Sequence, residues 1–112
     1  MREPGAGELN RRVQIRQRRD FPDDVSGGLG SEFPEQRPTW AKIEPVGSAL
    51  YSAGVQADSI VTHRVTVRYR NGITDAHEVV ELRAGVEVVY RVRRSSALNG
   101  GRRFTVLEVE EL

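Results

Sequence analysis

Apolar and polar residues alternate with period two along most of the chain. From Val61 to Arg70, the residues Val61, His63, Val65, Val67 and Tyr69 fall on one face, and Thr62, Arg64, Thr66, Arg68 and Arg70 on the other. This is the pattern of a strand with one face in the core and one in solvent. Val13 and Ile15 repeat it against Arg12, Gln14, Arg16 and Arg18. A third copy turns Val86, Val88, Tyr90 and Val92 inward and Glu87, Arg91 and Arg93 outward, with Val89 interrupting the polar face. Shorter runs from Glu78 to Arg83, Arg37 to Val46 and Arg102 to Glu111 bring the predicted strands to six.

The connections favour antiparallel neighbours. Asn71-Gly72 directly follows the best strand and is the preferred pair for a type I′ hairpin turn. Ala84-Gly85 and Asn99-Gly100-Gly101 separate the later strands. Small antiparallel sheets limit their open edges by curling, so the expected fold is mainly β: a six-stranded antiparallel barrel or sandwich. One short α-helix is expected from Ser48 to Ile60, where Leu50, Ala53, Ala57 and Ile60 recur at helical spacing behind Gly47-Ser48. One long loop is expected from Asp20 to Gln36, which combines two Pro, three Gly and scattered acids. Loops of that length in compact domains usually carry function.

Length changes the picture little: 112 residues make one domain, residues 1–112. Val, Ile, Leu and Phe form about a quarter of the chain, above the roughly 20 % below which disorder is the default. Charge changes it more. The chain has 17 basic and 16 acidic residues, a net of +1, and Lys42 is its only lysine. The segment 20–36 holds Asp20, Asp23, Asp24, Glu32 and Glu35 and no base, so a segment of −5 sits on a remainder of +6. Near-neutral total charge excludes a strongly cationic nucleic-acid coat.

Catalytic and metal chemistry finds little to work with. The absence of Cys removes disulfides, thiolate metal sites and thiol nucleophiles together. No GxSxG, HExxH, Walker or GxGxxG motif occurs. His63 falls on an inward strand face and reads as a packed neutral side chain. His77, near Asp75 and Glu78, reads as a solvated surface histidine. Gly27-Gly28-Leu29-Gly30-Ser31-Glu32 echoes a calcium-binding repeat, but a single copy cannot build the stacked turns such repeats need. We therefore expect no enzyme, no cofactor and no metal. The N-terminus lacks the apolar stretch of a signal peptide, and no apolar run approaches the ~18 residues of a membrane span.

The arginines admit two readings. Outward Arg on neighbouring strands could track phosphates in a small nucleic-acid-binding barrel, but such barrels also need exposed aromatics, and Tyr69 and Tyr90 face inward. Pairing between subunits, with Arg12, Arg16, Arg64 and Arg68 meeting acidic segments, accounts for the same residues. Trp40, the only tryptophan, lies on the opposite face of its strand from Ala41 and Ile43. It either covers a second small core or anchors an interface.

Several segments in order resemble the phage head–tail joining proteins, also called head–tail adaptor or head-closure proteins. GELNRRVQIRQR (7–18) resembles the family's opening strand, and Ser26-Gly27-Gly28 with Asp24 its Asp-x-x-Gly-Gly loop. TWAKIEPV (39–46) resembles its Trp-Ala-x-Ile/Val-x-Pro strand. THRVTVRYRNGIT (62–74) is the most diagnostic stretch, and YRVR (90–93) matches a later strand. The final hairpin is only loosely similar. The resemblance implies a structural protein of the virion, present in the host cytoplasm during assembly. It would form a homo-oligomeric ring at the head–tail junction. Its implied partners are a portal or adaptor protein on the head side, a tail terminator or tail protein on the other, and packaged DNA passing through; no membrane is involved. In that setting the segment bearing Asp20, Asp23, Asp24, Gly27, Gly28, Glu32 and Glu35 becomes a channel or ring-contact loop. Arg12, Arg16, Arg64, Arg68 and Trp40 become subunit-interface residues.

Overall fold

Alternation commits one face of each strand to the interior, and the chain satisfies all six faces by closing the sheet on itself. The computed structural model describes residues 3–5, 7–22, 29–46 and 60–112. The strands are β1 (Arg11–Pro22), β2 (Leu29–Pro45), β3 (His63–Arg68), β4 (His77–Arg83), β5 (Val86–Ala97) and β6 (Phe104–Glu111). They form a closed barrel in the order β1-β2-β3-β6-β5-β4, and every pairing is antiparallel. The barrel, not the sandwich, is the architecture.

The interior holds Val13, Ile15, Ala41, Val65, Val67, Val79, Tyr90, Val92, Leu107 and Val109, at positions that alternation turns inward. Val86, also expected inward, is instead 65 % exposed beside the Ala84-Gly85 turn. Ile15, Tyr90 and Leu107 are at most 1 % exposed. Six strands enclose so little space that these side chains fill it. A second, smaller cluster lies on the outside, where Leu98, Phe104 and Val106 are covered by Leu9 of the N-terminal segment.

Two predicted features come out differently, and a third lies almost wholly outside the described residues. The segment 20–36 is not one loop: Asp20–Pro22 continue β1 and Leu29–Gln36 belong to β2, paired Asp20↔Ser31, Phe21↔Gly30 and Pro22↔Leu29. Only 23–28 remain between them, outside the described residues, together with Asp23, Asp24, Gly27 and Gly28. β1 is paired with β4 only as far as Gln17, and β2 with β3 only over Ala41–Pro45. Beyond those limits β1 and β2 form a two-stranded arm. Pro34 and Pro38 lie where β2 has no second neighbour, the edge position in which a missing N–H costs no ladder bond.

Asn71-Gly72 does not close a hairpin. Gly72 has φ 82°, but Asn71 lacks the positive φ that a type I′ turn requires there. The chain instead crosses from β3 to β4, which are not neighbours, and buries Ile73 in the core on the way. The type I′ signature belongs to Ala84-Gly85, with φ 51° and 82°, joining Arg83 to its partner Val86. The helix expected over 48–60 lies outside the described residues except for Ile60, which is irregular and exposed. Among the described residues the only helical element is the 3-10 turn Leu98–Gly100.

Candidate interaction surfaces

One end of the barrel interior is closed by a cluster of polar side chains. Glu81 pairs with Val13 in register and shares its inward face. It is 5 % exposed and receives two hydrogen bonds from the Arg11 guanidinium and two from Arg83. Arg83 also donates to the Tyr90 hydroxyl at 3.3 Å. Burial pushes the Glu81 carboxyl up, and the two guanidiniums outweigh it, leaving its pKa below the usual carboxylate value. Burial raises the Tyr90 phenol. His63 meets the Tyr90 ring edge-on at 5.2 Å, as its inward position leads one to expect.

His77 is not the solvated histidine its neighbours imply. It is 4 % exposed, and its Nδ1 accepts the Thr74 backbone N–H at 3.1 Å. A nitrogen that accepts carries no proton, so the ring is held by the turn rather than presented to solvent. Among the described residues no group of His, Asp and Glu gathers as a metal site.

Outside the barrel, much of the arginine charge is answered within the chain. Arg16 binds Glu78, its registered partner, at 3.1 Å; Arg93 binds Glu110 at 2.6 Å; Arg94 makes two bonds to Glu108. The expected subunit contact through Arg16 therefore competes with a nearly buried internal pair. Arg64 is half-buried and registers opposite Glu44 and Glu108 on its two neighbouring strands.

The other three expected interface residues come together. Arg12 registers with Trp40, and Arg68 with Phe104; Trp40 and Arg68 each lie one step from the Ala41↔Val67 pair. The four make one row across β1, β2, β3 and β6 in which cation and aromatic alternate. The Arg12 guanidinium sits 5.2 Å from the Trp40 ring centroid, and Arg68 lies 5.3 Å and Arg103 5.9 Å from that of Phe104. Trp40 is 51 % exposed while Phe104 is buried under the N-terminal segment, so Trp40 borders the second core without closing it. Between this row and the N-terminal segment, which Arg103–Glu3 at 3.0 Å and Lys42–Glu8 at 3.3 Å tie down, runs a groove of about 490 Å³. Phe104 and Arg103 belong to this surface although sequence patterning places no function on them; only the β3–β6 register brings them beside Arg68. Asp20, Glu32 and Glu35 lie on the β1–β2 arm, away from the row.

A groove rimmed by arginines therefore lies on the outside of a filled barrel. The family model of the phage head completion protein matches residues 4–112. The chain belongs to this family. Membership makes it a structural component of the virion with a role in closing the phage head. No curated protein matches the chain. The chain is also similar to the solution structure of protein SF1141 from Shigella flexneri 2a, with a TM-score of 0.70, 18 % identity and 96 % of each chain covered. At that identity the likeness extends to the fold. Among the described residues no helix is long and apolar enough to cross a membrane.

Proposed function

We propose that copies of this head completion protein form a ring at the head–tail junction, closing the DNA-filled head and joining it to the tail. A portal or adaptor protein lies on the head side and a tail terminator or other tail protein on the opposite side. The single observation that carries the ring is the filled interior: core side chains occupy the barrel, and Glu81, Arg11 and Tyr90 plug one mouth. A barrel without a bore cannot itself be a conduit. DNA leaving a closed head must then pass between copies, which a closed cyclic assembly provides.

The arm formed by β1 and β2 is the element with which each copy reaches beyond its own body, toward the channel or a neighbour. Its acidic composition suits a path along which phosphates must slide without adhering. The alternative, a nucleic-acid-binding barrel, loses Arg16, Arg93 and Arg94 as phosphate contacts, since carboxylates engage them. Electron microscopy of particles lacking the protein tests the proposal: heads that leak DNA, with separate tails, are expected. Intact tailed particles refute it. Tight, salt-dependent DNA binding by the isolated chain favours the barrel-binding alternative.

A further inference from the structure

We infer that the groove beside Trp40 receives the acidic β1–β2 arm of the next copy, giving the ring a head-to-tail interface. The inference rests on the ring proposed above and names its contact. Among the described residues no carboxylate pairs with Arg12 or Arg68; both lie against aromatic rings. A cation held over a ring face keeps its N–H donors for another partner, which makes the pair a receptor suited to carboxylates. The groove lining includes Arg12, Arg68 and Arg103, of which Arg103 is held by Glu3 beside the groove, and no acid lines the groove itself.

The complementary chemistry is in the same chain. Residues 20–36 contain five acids and no base, with Arg19 registered opposite Glu32 at the start of the arm, and the same span includes Phe21, Leu29 and Phe33. A chain cannot satisfy its own groove. Arg12 and Asp20 lie on one continuous strand, and eight residues of extended chain separate them by about 26 Å. Donor and receptor at separate places along one β1–β2 pair describe a heterologous contact, which closes into a ring when the rotation per copy permits. Such an interface also stays weak until a template aligns many copies, as assembly on a finished head requires.

The test reverses charge on each side and then on both. Arg12→Glu with Arg68→Glu removes the receptor; Glu32→Arg with Glu35→Arg removes the donor. Each pair is expected to lower the number of copies per purified filled head at least tenfold, with thermal midpoints kept near that of the parent. The quadruple variant is expected to recover to within about twofold of wild type. Recovery is the decisive readout, because two independently damaged surfaces would not restore each other. Wild-type incorporation by either pair, or no recovery in the quadruple variant, overturns the inference while the ring at the junction stands. Absence of the wild-type chain from the junction overturns the ring itself and this contact with it.

Discussion

The guanidinium of Arg12 lies 5.2 Å from the ring centroid of Trp40, its registered partner across the first hairpin. A half-exposed tryptophan held by a cation contributes little to folding and much to recognition. Trp40→Ala should leave the thermal midpoint almost unchanged, since the ring lies outside both cores. Loss of an interface anchor typically costs about 2 kcal/mol or more, near 30-fold in affinity, so incorporation into particles should drop by that order. A large fall in the melting temperature would show instead that Trp40 is structural. Copy number per head and differential scanning calorimetry on the same variant separate the two.

The Glu81 cluster makes stability depend on acid. The folded carboxyl titrates below its unfolded value, so its contribution is complete above about pH 4.5 and is lost as pH falls through the folded pKa. The thermal midpoint should drop on that acid limb, and Glu81→Gln should flatten the drop. At neutral pH Glu81→Ala should cost about 1–3 kcal/mol, because it leaves the Arg11 donors unanswered at a plugged mouth. Denaturant melts between pH 3 and 7 provide the check.

Tyr90 acts in the opposite sense. Burial holds its phenol above the ordinary tyrosine value of about 10, so its contribution is complete below about pH 10 and is lost as pH rises through the folded pKa. Alkaline melts should therefore show a limb that Tyr90→Phe removes. A limb that persists in Tyr90→Phe assigns it to another group.

Ala84 is the residue least suited to its backbone. Both turn residues have positive φ, and a Cβ in that region costs on the order of 1 kcal/mol. Ala84→Asn or Ala84→Gly should stabilise the barrel by about 0.5–1 kcal/mol, since an exposed turn offers no packing to lose. Urea melts with an unchanged slope would confirm a local effect.

These residues also show what the sequence makes legible. Val13 and Ile15, Val65 and Val67, and Tyr90 and Val92 alternate without competition from another period, and all are buried. The closed order of strands is less visible, because pairing of β3 with β6 and of β1 with β4 depends on residues tens of positions apart. Asn71-Gly72 has hairpin composition, yet Ile73 has a place in the core, and its burial decides the path. The strands flanking 23–28 are hidden by Pro, Gly and acids that individually disfavour β structure; pairing of one arm with the other overrides them. Arg12, Trp40 and Arg68 were each visible as interface candidates, but their alignment in one row required register. Glu81 was not visible at all, since nothing local marks a carboxylate as the plug of a barrel mouth.

The last prediction concerns the arm. β1 is tied to β4 through Gln17 and β2 to β3 from Ala41, so the barrel closes without the residues beyond. Replacing 23–35 by a short Gly/Ser link should leave the barrel folded, with a melting transition close to the parent. Loop closure changes by only about 0.6 kcal/mol per doubling of length, and the pairings that close the barrel lie outside the segment. Head completion should fail nonetheless, with filled heads losing DNA or acquiring no tails. A thermal melt paired with complementation of particles lacking the protein reads both properties on one variant. A normal melt with wild-type titre would reduce the replaced segment to a spacer and remove Glu32 and Glu35 from the functional surface. Collapse of the fold would show that the arm supports the barrel, against the pairing limits at Gln17 and Ala41. The expected pattern, a folded barrel that no longer completes heads, follows only if the arm's partners lie outside its own chain.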